Sequence, residues 1–273
     1  MGQAAETVRP DAAVPDLIAV HGVSRRFAAV TALDRIDLTV RGGEFLAIVG
    51  PSGCGKSTLL RILAGLLPAS EGRVAMGGHP ITGPRRDIGV VFQTPVLFPW
   101  RSVLDNALLP VDVQRLGRDR MRDPAMALLK LVGLHGFEHA YPWQLSGGMQ
   151  QRAALVRALI HDPAVLLMDE PFGALDAMTR EAMNLELQRI WLNVSPASPE
   201  APRKTIVFVT HSVGEAVFLA DRVVVMSPRP GRVLDMLDID TPRPRPLAVM
   251  NTEAFGAHVQ RIRQALNAVG GLE

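Results

Sequence analysis

The sequence predicts an α/β fold built on a parallel sheet, with an antiparallel β region ahead of it and a helical lobe inserted into it. Three observations carry this reading. The runs Phe45–Val49, Val165–Met168, Ile206–Val209 and Val223–Met226 are unbroken apolar stretches, the mark of strands covered on both faces. Stretches with helical spacing separate them, as βα alternation requires. The first run also opens into Gly50-Pro51-Ser52-Gly53-Cys54-Gly55-Lys56-Ser57-Thr58, which fits G-x-x-x-x-G-K-[ST].

The elements follow in order. Residues 1–15 are rich in Ala and Pro without periodicity and read as a disordered tail. Leu17–Val20 and Ile36–Val40 read as strands, the second with apolar residues alternating at Ile36, Leu38 and Val40. Arg41-Gly42-Gly43 is a turn into the Phe45 strand. Beyond the glycine loop, Leu59, Ile62, Leu63 and Leu66 recur as one helical stripe. Short strands punctuated by Gly and Pro run from Gly72 to Phe92 and end at Gln93. Residues 94–160 form the inserted lobe, with helical spacing at Leu104 and Leu108 and at Met126, Leu129 and Val132. The parallel-sheet pattern resumes at Val165. Ser195–Arg203, with three prolines, reads as a loop, and Thr241-Pro242-Arg243-Pro244-Arg245-Pro246 as an extended linker closing a main domain of residues 16–240. Phe255, Val259, Ile262 and Leu266 then line one face of a last helix, capped by Thr252 and expected to dock on the core.

Composition limits the function. Lys and Arg number 29 against 27 Asp and Glu, a net charge of +2, so no nucleic-acid partner is expected. The single Cys54 excludes an internal disulfide and a cysteine zinc site. No apolar run approaches the roughly 18–20 residues of a membrane span, and the N-terminal residues do not read as a basic-then-apolar signal peptide. The expectation is a soluble, intracellular protein that another chain would have to hold at a membrane.

Three stretches carry chemistry. In the first, strand, glycine loop and helix start place free N–H groups and the helix dipole where phosphates bind. Lys56 is expected to reach the β- and γ-phosphates and the Ser57 hydroxyl to ligate Mg²⁺. The second, Val165-Leu166-Leu167-Met168-Asp169-Glu170, delivers two carboxylates at the C-terminal end of a strand, the ligand-bearing edge of a parallel sheet. Asp169 suits Mg²⁺ and Glu170 suits polarising a water, since neighbours on a strand point to opposite faces. In the third, Leu145-Ser146-Gly147-Gly148-Met149-Gln150, a hydroxyl and two glycines open a helix with apolar Ala153, Val156 and Ile160. One nucleotide does not need two helix N-termini. The second therefore serves the nucleotide of another copy.

These stretches, in this order with Gln93 between the first and third and with Gly173-Ala174-Leu175-Asp176 and His211 after them, resemble the ATP-binding cassette (ABC) ATPases from about Leu17 to Met226. The resemblance implies a P-loop NTPase (RecA-like) core and a head-to-tail homodimer, each ATP held between one phosphate loop and the other subunit's Ser146, Gly147, Gly148 and Gln150. It implies that Phe27 stacks on adenine and that Gln93 senses Mg²⁺ and water. Glu170 would be the catalytic base, Asp176 would bridge the dimer, and His211 would contact the γ-phosphate. Met149 and Ser212 depart from commoner residues without touching a required group.

A short helical lobe and a single cassette are unlike the chromosome and translation branches. Transport remains, with membrane-spanning permease subunits on separate chains, a solute-binding protein upstream of them, and the ATPase at the cytoplasmic face of the membrane. Gly83-Pro84-Arg85-Arg86-Asp87, Val96–Trp100, Asp105-Asn106, Pro142-Trp143-Gln144 and Ser227–Gly231 are similar to the nitrate/sulfonate/taurine importer group, which also includes transporters of pyrimidine-type precursors. A soluble, non-transport ABC ATPase with a regulatory partner is the alternative.

Overall fold

The alternation of apolar runs and helical segments gives two sheets, with helices on both faces of the larger one. The computed structural model describes residues 16–173, 175–192 and 203–270. The expected tail at 1–15, Ala174 and nearly all of the Ser195–Arg203 loop fall outside them.

The N-terminal strands β1 (Asp16–Phe27) and β2 (Val30–Arg41) form a long hairpin. With β4 (Glu71–Met76) and β5 (His79–Pro80) they make a four-stranded antiparallel sheet in the order β2-β1-β4-β5. The second sheet contains β3 (Phe45–Val49), β6 (Ile88–Val91), β7 (Val165–Asp169), β8 (Thr205–Val209) and β9 (Arg222–Met226), all parallel. Strand β10 (Val233–Asp238) adds an antiparallel edge, giving the order β10-β9-β3-β8-β7-β6. That edge strand has no counterpart in the sequence reading, because Val233, Asp235 and Leu237 alternate only weakly with their neighbours.

The pleat divides the core in two. Phe45, Ala47 and Val49 join Leu166, Met168, Ile206 and Phe208 on one face, while Leu46 and Ile48 join Val165, Leu167, Val207 and Val209 on the other. The second face packs on the antiparallel sheet through helix α1 (Lys56–Leu63). The first face is covered by α5 (Gly147–Leu159), α6 (Ala177–Leu192), α7 (Val213–Leu219) and α8 (Glu253–Asn267). Helices α2 (Val103–Ala107), α3 (Leu109–Gln114) and α4 (Arg118–Leu131) pack with α5 as the helical lobe. Thr252 caps α8, its hydroxyl accepting from the Phe255 N–H at 3.3 Å, and Phe255, Ile262 and Leu266 are buried.

Residues 241–246 have no helix or strand, and they are fastened to the core. Arg245 is fully buried, donating through Nη1 to the carbonyls of Val217, Phe218 and Ala220 at 2.8–3.0 Å, and through Nε and Nη2 to Thr241. Its backbone exchanges two 2.8 Å bonds with the Gln188 amide. A Pro/Arg run reads as exposed because its partners lie on distant elements. No helix among the described residues is long and apolar enough to cross a membrane.

Candidate functional site: a phosphate loop at one sheet edge

Parallel strands bring their C-terminal ends to one edge, and four adjacent strands here end in polar groups. β3 runs into Gly50, β8 into Thr210-His211, β7 into Asp169-Glu170, and two residues after β6 stands Gln93. Local sequence explains the loop after β3. Gly53 (φ +73°) and Gly55 (φ +106°) occupy backbone that L side chains rarely adopt, and a Cβ on Gly55 would lie 2.7 Å from Leu33. Cys54 is buried against Gly50, and burial raises its thiol pKa, so it serves as packing.

Lys56 is buried at the first turn of α1, and its Nζ donates to the carbonyls of Gly50 and Pro51 at 2.8 and 2.9 Å. The Ser57 hydroxyl donates to Oδ1 of Asp169 at 2.9 Å. Burial pushes the Asp169 carboxyl pKa up, while Ser57, Arg61 and Lys56 oppose the shift. A buried carboxylate beside a hydroxyl is a hard-oxygen pair suited to Mg²⁺, which takes few protein ligands and shares phosphate oxygens. The residues present therefore fit that ion.

Glu170 does not continue the strand. Its φ of +47° lies in the left-handed region, so this turn, and not the strand pleat expected from sequence, separates it from Asp169. Both of its carboxylate oxygens are engaged. Oε1 lies 2.5 Å from Nε2 of His211, and Oε2 accepts from the Gln93 amide at 3.0 Å. Glu170, His211 and Gln93 line a cavity of about 420 Å³ with Phe27, Val30, Ala32, Ser52, Lys56 and Ser57. Phe27 is 42% exposed at its mouth, with the Arg25 guanidinium 4.5 Å from its ring centre. Thr58 also lines it.

Two further contributors to this edge escaped the sequence reading. Arg229 lines the cavity, and Gly231 backs the loop so closely that a Cβ there would lie 2.1 Å from the Cys54 carbonyl. The sequence signals were the Pro-Arg-Pro-Gly turn after the Val223 strand and the importer resemblance of Ser227–Gly231, neither of which points to the phosphate loop.

The third stretch stands apart. Ser146 caps α5, its hydroxyl accepting from the Met149 N–H at 3.3 Å. The Gln150 amide donates to the carbonyls of Pro142 and Leu145. Gly148 abuts Leu175, whose Cδ2 is 2.6 Å from where a Cβ would sit. Asp176 holds Thr179 through bonds of 2.7 and 3.0 Å. None of Ser146, Gly147, Gly148, Gln150 or Asp176 lines the cavity at the phosphate loop.

The fold and this edge define a P-loop ATPase. Residues 33–173 match the family model described as ABC transporter. An uncharacterized ABC transporter ATP-binding protein of Methanocaldococcus jannaschii is 51% identical over 79% of this chain and 78% of its own length. A taurine import ATP-binding protein, TauB, of Rhizobium johnstonii is 46% identical over 82% of this chain and 83% of its own. A dimeric bacterial ABC transporter cassette superposes with a TM-score of 0.72 at 33% identity, over 82% of this chain and 100% of the cassette. A post-hydrolysis cassette bound to ADP and Pi superposes at 0.70 and 31%, with the same coverage. The chain belongs to the ABC transporter ATP-binding family, and it is an ATP-binding, ATP-hydrolysing subunit.

Proposed function

We propose that two copies of this chain pair head to tail and hydrolyse ATP to power import of a small solute through separate permease subunits. One observation carries the dimer: the capped N-terminus of α5, with Ser146, Gly147 and Gly148, is built as a phosphate site yet takes no part in the cavity at its own phosphate loop. A partner's nucleotide completes it. The dimeric cassette that this chain resembles supports the same pairing.

In this reading Phe27 stacks on the adenine ring, while the amides of Gly50 to Thr58 wrap the phosphates. Lys56 exchanges its carbonyl partners for the β- and γ-phosphate oxygens. Ser57, Asp169 and Gln93 would hold Mg²⁺, which would neutralise charge on the phosphates. Glu170 accepts the proton of the attacking water, and His211 donates to the γ-phosphate. His211 and Gln93 each take one oxygen of Glu170 and so orient the carboxylate, whose remaining lone pairs accept from the water. Asp176 faces the partner.

The substrate reading is of a nitrate-, sulfonate- or taurine-like anion, or a pyrimidine-type precursor. Support comes from TauB relatives in Rhizobium johnstonii and Burkholderia thailandensis, each 46% identical. The ATPase would sit at the cytoplasmic face of the membrane, bound to permease subunits and served indirectly by a solute-binding protein. Mixing Lys56→Ala and Ser146→Arg subunits tests the shared site. Each variant alone should be inactive, and the mixture should regain up to one working site per dimer. Full activity in either variant alone would end the shared-site reading. Copurification of a multi-span permease from solubilised membranes tests the transport reading, and a soluble regulatory partner in its place would overturn it.

A further inference from the structure

Behind the Glu170–His211 pair lies a second cavity of about 370 Å³, lined by Glu170, Gly173, Arg180, Thr210, His211, Ser212 and Glu215. Glu215 is buried there, although neither phosphate nor metal chemistry calls for it. Its sequence context, Ser212-Val213-Gly214-Glu215, is that of a capping box, in which the glutamate would accept from the Ser212 N–H. The contacts differ. The Ser212 N–H donates to the Thr210 hydroxyl at 3.0 Å, and that hydroxyl donates to Oε2 of Glu215 at 2.6 Å. Oε1 is left facing Nε of Arg180 at 3.5 Å, and that Nε is buried with no hydrogen-bond partner of its own. The Glu215 carboxylate therefore closes no capping box.

Arg180 completes a route. Its Nη2 donates to the Leu175 carbonyl at 2.8 Å, and the Leu175 side chain closes against Gly148 at the start of α5. Leu175 is thus shared by the Asp176 loop and the α5 N-terminus, both assigned above to the partner's nucleotide. From Leu175 the contacts run through Arg180, Glu215 and Thr210 to the residue adjoining His211. Charged groups are an expensive way to fill such a space, because burial penalises an ion that is not well paired. Burial does push the Glu215 carboxyl pKa up, an effect reinforced by Glu170 and opposed by the Thr210 bond and the Arg180 charge.

We propose that Arg180 and Glu215 are positioning residues that carry engagement of the partner's ATP at Gly148 and Asp176 to His211 of the same chain, making hydrolysis at the two sites cooperative. The inference rests on the shared-site dimer proposed above. One end is bonded to the Leu175 carbonyl and the other, through the Thr210 hydroxyl, to the Ser212 N–H, so a shift of Leu175 reaches the backbone on either side of His211.

The test is steady-state ATP hydrolysis by the full chain, with nucleotide-binding stoichiometry measured in parallel. Glu215→Gln keeps an acceptor for Thr210 but removes the charge facing Arg180. Glu215→Gln and Arg180→Met should each lower kcat about tenfold, within the range for residues that couple sites, and leave KM for ATP within about twofold. The Hill coefficient for ATP should fall toward one. Arg180→Lys should recover part of both, and the double variant should be no worse than either single change. Unchanged kcat and cooperativity in Glu215→Gln would overturn the proposal. So would losses that track the fraction of protein still binding nucleotide, since that is what a purely structural role gives. If Arg180→Met fails to fold, Glu215→Gln and Arg180→Lys still decide. A wild-type protein without cooperativity, together with no recovery on mixing Lys56→Ala and Ser146→Arg, would instead remove the dimer reading beneath it.

Discussion

Glu170 and His211 meet at 2.5 Å, and the opposite oxygen of the same carboxylate is bound by Gln93. A carboxylate held at both oxygens still has lone pairs free to accept a water's proton, and accepting it takes the negative charge. Removing the carboxylate charge should therefore block chemistry without blocking ATP. Glu170→Gln is expected to lower phosphate release at least about a hundredfold, the low end of what general-base catalysis contributes. ATP-bound dimer should accumulate on size-exclusion chromatography. Normal turnover in this variant would remove Glu170 from the role of base.

Asp169 has the opposite relationship to stability. Its pKa is raised by burial, so the folded protein holds that proton more tightly than the unfolded chain does. The stability from this group is present below the unfolded carboxyl value and is lost as pH rises through the raised folded value. Asp169→Asn removes the buried charge and can keep an acceptor for Ser57. The nucleotide-free variant should melt at a higher temperature than the wild type at neutral pH. Its pH slope should flatten and its Mg²⁺-dependent ATP hydrolysis should vanish. Thermal unfolding with and without Mg²⁺-ATP checks both parts: ATP with Mg²⁺ should stabilise the wild type much more than the variant.

The difference between what sequence revealed and what it concealed follows from range. The phosphate loop was legible because strand, glycines, Lys56 and helix stripe lie within a run of about twenty residues, each local signal agreeing with the next. The Asp169-Glu170 pair was legible as chemistry, but its geometry was not. The apolar run into Asp169 says strand, whereas the φ of Glu170 depends on the turn that brings Gly173 N–H back to the Glu170 carbonyl at 3.2 Å. Buried Arg245 was concealed by composition, since a Pro/Arg run resembles a linker until α7 supplies its carbonyls. Gly231 was concealed for the same reason: its neighbour Cys54 is far away in the chain.

Arg245 permits a stability prediction. Burial, with Arg243 nearby, pushes its pKa down to about 9, so it remains charged at neutral pH, held by carbonyls alone. Arg245→Met would leave the carbonyls at the end of α7 buried without donors, at a cost of about 3 kcal/mol or more. Arg245→Lys should recover only part, because a point ammonium cannot span carbonyls on α7 and at Thr241 as a planar fork does. Urea unfolding reads this directly. The midpoint should fall in the order wild type, Lys, Met, with an unchanged slope. Equal midpoints would mean that the C-terminal segment is not fastened here.

Gly231 permits a prediction about function. Its N–H donates to the Ala32 carbonyl at 2.9 Å and its own carbonyl accepts from Asp34 at 3.0 Å, so both sides of the residue are pinned to β2. A methyl group at this position would lie 2.1 Å from the Cys54 carbonyl and 2.9 Å from the Met226 side chain. Met226 is flexible and can yield; the Cys54 carbonyl belongs to the loop that wraps the phosphates. Gly231→Ala should therefore displace that loop, and a displacement on the order of 1 Å at a reacting group can cost up to about a hundredfold. The expected result is an ATP affinity weakened about tenfold or more, with the folded state retained by circular dichroism. If the affinity is unchanged, the loop does not take its shape from the turn after β9, and Gly231 is only a close contact.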